Sequence, residues 1–335
     1  MPTDALTPVH FLGPGTISIP EADAALREAG VSTAEVVAIG LTGTGAVECT
    51  QAMVTADIVK PGKQSLAYGA MLTPKGMIVT DLWTARDADG VTLYAPSEAR
   101  DALFQIFARS LPPRLARARD CTDETQVLRL VGPMALLRAE RAGLPIPEAG
   151  RLTAAEVEGL PALVGRPPLD RPFALQLTLA REHTLQAVAL LERAKIAPVR
   201  PEALDLARLV SGWPRLGAEV DAKTLPQEVR FDEHGGVSYT KGCYTGQETV
   251  ARLHFRGHAN RWLGGLSWTE PPQPSDHRIL RDGTAVGRVS SVAWLPRRER
   301  WIGLGLIRRE VGPGQEVDAA GSPAMTAALP FEIST

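Results

Sequence analysis

Lys241-Gly242-Cys243-Tyr244-Thr245-Gly246-Gln247-Glu248 places an ammonium, a thiol, a phenol, an amide and a carboxylate within eight residues. That density exceeds what a turn needs. Thr245 and Glu248 stand at the capping-box spacing, in which a threonine oxygen accepts from the backbone N–H three residues on and the glutamate reaches back. The spacing predicts a helix continuing through Leu253. A thiol just ahead of a helix N-terminus feels the positive end of the dipole, and an ammonium nearby adds to it; both favour thiolate. In an extended segment, Lys241 and Cys243 fall on the same side. The plainer reading makes Gly242 and Gly246 turn formers, Thr245 a cap, and Cys243 a small buried filler, since free cysteine is among the most buried residue types.

Other reactive patterns are sparse. There is no P-loop, GxSxG, HExxH or EF-hand loop. Gly40–Gly45 follows a strand-like run, but its spacing is not G-x-G-x-x-G and the strands after it form a meander, which argues against a dinucleotide loop. His254 and His258 could share a helix face, yet Gly257 interrupts and no further ligand is near, so surface residues are the better reading. The cysteines Cys49, Cys121 and Cys243 are far apart and form no CxxC. They predict neither a disulfide framework nor a metal site, and they suit a reducing compartment. The six tryptophans read as core anchors, one or two of which could stack on a flat heterocycle.

These groups must be positioned by a chain of 335 residues, long enough for two or three domains. Hydrophobic residues make up 44% and charged residues 22%, as in a soluble globular protein, and the net charge of −2 does not advertise nucleic acid as a partner. Arginine clusters such as Arg308-Arg309 read as solvated faces. The start, Met-Pro-Thr-Asp-Ala, lacks the pattern of a signal peptide, and no run of about 18 apolar residues occurs. A cytoplasmic protein is expected.

A strand is predicted over 34–41, a helix from Gly45 to Met53, and a meander over 64–72, 77–85 and 91–95 with its first turn at Thr73–Gly76. Ser97 is read as the cap of a helix ending near Leu111. A strand at 126–131 and a helix opened by Gly132-Pro133 follow, and 144–172 reads as connection. After a strand at 173–179, a helix over 181–195 should bury Leu185, Val188, Leu191 and Ala194. Pro201 starts another, stopped by Gly212-Trp213-Pro214. Residues 261–335 carry short β-rich runs and read as a small barrel or sandwich.

The segment Lys241–Glu248 closely resembles the K-G-C-Y-x-G-Q-E signature of the YgfZ-type folate-binding proteins, relatives of the glycine-cleavage T protein, an aminomethyltransferase. Arg208-x-x-x-Gly212-x-Pro214-x-x-Gly217-x-Glu219, Leu225–Glu228, Gly264-Gly265-Leu266, Gly283-x-x-x-Gly287-x-Val289-x-Ser291 and Gly132-Pro133 are collinear with that family, so the resemblance spans about residues 35–330. Two stretches depart from it. Thr55-Ala56-Asp57 stands where members commonly have T-N-D. Gly76–Asp81 keeps only Asp81 of the acidic pair that serves catalysis in the aminomethyltransferases.

The resemblance implies an α+β, three-domain fold: two mixed α/β domains and a C-terminal β-barrel around a central folate channel. The regions are 1–125, interleaved with the next; 126–258, carrying the cysteine motif; and 259–335, the barrel. It further implies tetrahydrofolate or a substituted folate as cofactor and a role beside iron–sulfur enzymes or assembly proteins in making or repairing their clusters. It leans toward a monomer; the charge balance and the lack of a long apolar run add the expectation of neither nucleic acid nor membrane as partner. Cys243, Lys241 and Asp81 are the candidates for chemistry. Asp57, Tyr244, Gln247, Glu248 and Arg208 are the candidates for holding folate, and no metal site is expected. The rival readings are a folate-dependent one-carbon transferase or demethylase using Asp81, or Asp57, as acid/base, and a scaffold that has lost folate, suggested by Ala56.

Overall fold

The structure is a computed structural model and describes residues 9–87, 90–273 and 275–332. It contains three sheets. The first has five strands in the order β4 (Ser65–Leu72), β5 (Ile78–Arg86), β6 (Val91–Pro96), β3 (Val36–Thr42) and β7 (Arg117–Asp120). The 4–5–6 meander is antiparallel as its turn residues required. Helices α2 (Ala46–Met53) and α3 (Arg100–Ser110) belong to this part of the chain. Ser97 does not cap α3 with its side chain; it opens a short 3-10 turn that leads into the helix.

The second sheet runs β12 (Ala197–Pro198), β2 (Gly30–Thr33), β8 (Thr125–Val131), β11 (Leu175–Ala180), β10 (Leu160–Gly165), β9 (Leu152–Val157). The segment expected to be irregular therefore holds a hairpin, β9–β10, turning at Glu158-Gly159. Its alanines, its exposed Pro161 and its place at the sheet edge gave it a weak strand signature. Helices α1 (Ile19–Leu26), α4 (Ala135–Arg141), α5 (Thr184–Arg193) and α6 (Pro201–Ser211) accompany this sheet. In α5 the buried residues are Ala187, Leu190 and Leu191, and Leu185 is 84% exposed, so the buried stripe is rotated from the expected one.

The third sheet closes on itself. Strands β13 (Arg261–Trp268), β14 (Arg278–Arg281), β15 (Thr284–Leu295), β16 (Arg300–Arg308), β17 (Glu316–Ala319) and β18 (Ser322–Ala327) form a six-stranded antiparallel barrel, sealed by the β15–β16 pairing. Strand β1 (His10–Leu12), from the far end of the chain, adds to β15 in parallel.

The largest apolar cluster joins the three sheets: Leu12 of β1, Tyr68 and Trp83 of the first, Val127 of the second and Leu263 and Leu304 of the barrel share it with Trp213 and Phe231. At its centre Tyr68 is 1% exposed, with ring centroids 4.6 Å from Trp213 and 5.1 Å from both Trp83 and Phe231. Such aromatic pairs add to the burial energy and fix one arrangement. Among the described residues no helix is long and apolar enough to cross a membrane.

Candidate functional site

A cavity of about 360 Å³ opens beside this aromatic centre. Trp83, Tyr94, Phe173 and Trp213 give it flat apolar walls, and Asp81, Arg129, His10, Asp205, Arg208 and Arg215 are among its polar groups. Asp81 arrives from β5, a strand otherwise buried on both faces. Its Oδ2 accepts from the Tyr68 hydroxyl at 3.2 Å, while Oδ1 is buried and has no hydrogen-bond partner among the described residues. Burial raises its pKa from the ordinary carboxylate value to about 6, with the Tyr68 hydrogen bond, Arg129 and Arg208 opposing the rise. Tyr68 in turn is pushed well above its usual range by burial and by the Asp81 charge. Arg129 lies over the Phe173 ring at 4.5 Å, and burial lowers it to about 10.

One wall of the cavity is an ionic lattice. Arg208 of α6 donates to Asp205, to the Trp213 carbonyl at 2.6 Å, to Glu219 at 3.1 Å and to Ser291 of the barrel at 3.4 Å. Glu219, fully buried, also accepts from Ser290 and Ser291 and from the Arg215 amide. His10 of β1 contacts Asp205. Burial works against the Asp205 charge, but Arg208 and His10 outweigh it and hold the carboxyl well below its usual range. Arg208 therefore faces the cavity with its donors engaged, and it ties helix, loop and barrel together. Behind Trp213 the His234 ring stacks at 3.9 Å; burial, with Arg230, pushes it down to about 3, so it stays neutral.

The cysteine loop lies apart from this cavity. Helix α7 (Gln247–Arg256) begins after Gly246, which has φ 81° and offers no side-chain cap; the expected Thr245–Glu248 capping box is absent. A Cβ on Gly246 would lie 2.5 Å from the Thr73 carbonyl, so the close approach of the β4–β5 turn selects glycine there. Glu248 is exposed, and Gln247 instead accepts from the Tyr244 amide at 3.3 Å. Lys241 is 8% exposed and Cys243 is exposed, so the two do not share a side. The Lys241 ammonium donates to the carbonyls of Gln51 (2.6 Å), Val54 (2.7 Å) and Ala56 (2.8 Å) at the C-terminal end of α2. An ammonium has three N–H donors, and all are engaged. Lys241 is thus a clip between the loop and α2 and has no donor left for a thiolate or a folate carboxylate. Burial lowers it to about 8, opposed by Asp57. Tyr244 lies under it, ring centroid 5.2 Å from Nζ, and its buried hydroxyl has no partner among the described residues. Asp57 accepts from the Gln51 side chain and the amides of Val59 and Lys60; burial works to raise its pKa, but these contacts and Lys241 hold it low.

The fold and this geometry can be set beside known proteins. Residues 16–233 match the GCVT N-terminal domain, and residues 261–331 match the glycine cleavage T-protein C-terminal barrel domain. The chain belongs to the glycine cleavage T-protein family. It is 27% identical over 255 residues to the tRNA-modifying protein YgfZ of Escherichia fergusonii, covering 75% of this chain and 76% of that one, and 27% identical to the Enterobacter sp. protein of the same name. The crystal structure of the glycine cleavage system aminomethyltransferase T from Bartonella henselae superposes with a TM-score of 0.78 at 20% identity, covering 93% of this chain and 88% of that one. The α+β fold with a terminal barrel is thereby established.

Within it, the sequence-derived residues divide into two groups. Asp81 and Arg208 line the aromatic cavity. Lys241, Cys243, Tyr244, Gln247 and Glu248 sit in or beside the cysteine loop, and Asp57 borders a second cavity, of about 650 Å³, lined also by Tyr68 and by Tyr239 just ahead of the motif. Tyr68, Arg129, His10 and His234 were not identified from sequence. Each is a lone polar residue contributed by a separate segment, with no spacing pattern to mark it.

Proposed function

We propose that this chain binds a tetrahydrofolate in the cavity lined by Asp81, and serves as an accessory protein in the assembly or repair of iron–sulfur clusters with Cys243 as its working thiol. The observation that carries the folate reading is the unpartnered Oδ1 of Asp81 beside four aromatic side chains. A buried acceptor without a donor costs free energy, and a pterin offers ring N–H and amino donors on a flat body. Asp81 would accept from those donors, Trp83, Tyr94, Phe173 and Trp213 would supply the apolar surface, and Arg208 would hold the wall in place. Tetrahydrofolate, when bound, supplies a carrier for one-carbon units.

Cys243 is exposed, where a partner protein can reach it. A lone cysteine cannot complete a cluster's ligand set, so the remaining ligands would come from an iron–sulfur enzyme or assembly protein. The relatives called tRNA-modifying proteins fit an accessory role toward such an enzyme. Calorimetric titration with tetrahydrofolate and 5-formyltetrahydrofolate tests the ligand. Loss of iron–sulfur enzyme activity in cells carrying Cys243→Ala tests the thiol, and full activity of that variant would refute its role.

The Asp81 pKa of about 6 favours one second reading, a folate-dependent one-carbon transferase in which Asp81 moves a proton. It predicts methylene- or formyl-tetrahydrofolate formation from an amine donor. Absence of turnover with any amine donor, by wild-type protein that binds tetrahydrofolate, would exclude it.

A further inference from the structure

The outer face of α7 and the adjoining end of the barrel gather cations that the sequence scatters. Arg252 and Arg256 lie one turn apart on the helix. Two residues later His258 joins Asn260, Arg308 and Arg309 in lining an open groove, closed by the Arg309 amide donating to the Asn260 carbonyl at 3.0 Å. Glu310 is the one acid in that lining, and it stands 3.8 Å from Arg308. The side chains of Arg252, Arg256 and Arg309 are exposed, and their guanidinium groups make no ion pair or hydrogen bond among the described residues. Arg252 and Arg256 share one face of α7, and Arg309 lines the groove that His258 enters two residues beyond Arg256, so three guanidinium groups are left unused along this stretch.

An aromatic group sits among them. Phe255 is 67% exposed, flanked in sequence by Arg256 and a turn away from Arg252. Its ring meets Tyr239 and His254 edge-on, at 5.9 Å and 4.8 Å, which holds the ring upright and leaves its surface to solvent. Tyr239 and His254 stack at 3.6 Å beneath it. The rest of α7 gives no apolar reason for this exposure, because Val250 is the helix's one buried residue.

We propose that this face binds a single-stranded nucleic acid, with backbone phosphates on Arg252, Arg256 and Arg309 and one base on Phe255. Guanidinium groups match phosphate geometry, and an upright exposed ring stacks any base. A membrane surface would demand several exposed apolar side chains, and this patch offers one. An acidic peptide would use the arginines and leave Phe255 without a role. The net charge of −2 conceals the patch because acids elsewhere in the chain balance it. The surface does not depend on the folate cavity.

The test is fluorescence anisotropy of the full chain with labelled RNA and DNA strands of ~12 nucleotides. Saturable binding of either strand is expected at low salt. With about three phosphate contacts, affinity should fall about 20-fold between about 50 and 200 mM salt. Phe255→Ala should weaken binding by about 5- to 100-fold. The combined Arg252→Glu, Arg256→Glu and Arg309→Glu variant should abolish it while keeping the wild-type unfolding midpoint and folate titration. Absence of saturable binding to both strands, equal binding by the charge-reversed variant, or capture by phosphatidylserine vesicles in place of the strands would overturn the proposal.

Discussion

Asp81→Asn separates function from stability with a defined sign. In the folded protein the Asp81 pKa rises from 3.8 to about 6, chiefly through burial. A raised folded pKa means that the protonated form is favoured by folding. The stabilisation is complete below about pH 4 and is lost as the pH climbs through about 6, so above that the buried charge is a burden on the native state. A rise of this size corresponds to about 3 kcal/mol. Asparagine does not titrate, so the variant escapes that burden. Against this, its amide would stand where Oδ1 has no partner, at a cost of about 1–2 kcal/mol. The variant should therefore be more stable than wild type by about 1–2 kcal/mol near pH 8 and no more stable, or less, near pH 4, a relative swing of about 2–3 kcal/mol. Urea unfolding of both proteins across that range, followed by tryptophan fluorescence, measures it. Stability curves that stay parallel from pH 4 to pH 8 would refute the assignment of Asp81 as a buried, destabilised carboxylate kept for binding.

Three further outcomes follow from the geometry. Lys241→Met should lower stability by about 2–4 kcal/mol, because three carbonyls at the end of α2 lose their charged donor; an unchanged urea midpoint would contradict the clip. Gly246→Ala should cost about 1–3 kcal/mol from left-handed backbone strain and the approach to Thr73, again read by urea unfolding. Tyr68→Phe removes the hydrogen bond that lowers the Asp81 pKa, so the carboxyl should titrate above about 6 in a carbon-detected NMR titration; a downward shift would contradict the pairing.

Much of this architecture was legible because local signals agreed with the fold. The meander, its turn at Thr73–Gly76, and helix α2 emerged where predicted: β4 and β5 are β-rich runs buried along nearly their whole length, and α2 buries Ala46, Thr50 and Met53 at helical spacing. The cysteine motif was legible as chemistry, but its wiring was not. Thr245 and Glu248 satisfy a capping pattern that Gly246 displaces by taking the N-cap position in a left-handed conformation. A true capping box lies at Ser18 and Glu21, ahead of α1. The partners of Lys241 are carbonyls that lie 185 to 190 residues earlier in the chain, beyond any local pattern. A still longer separation in the chain hid the entry of His10 into the barrel edge and the cavity wall. Asp81 was found through family resemblance, whereas Tyr68, which donates to its carboxylate, is indistinguishable in sequence from a core aromatic.

The central claim is that Asp81 and its aromatic walls form a folate site. Calorimetric titration of wild type and Asp81→Asn with tetrahydrofolate at neutral pH tests it most directly. The account predicts saturable micromolar binding to wild type, with one site per chain, and a loss of about tenfold or more in the variant. No heat at millimolar ligand, or equal affinity in the two proteins, would contradict it.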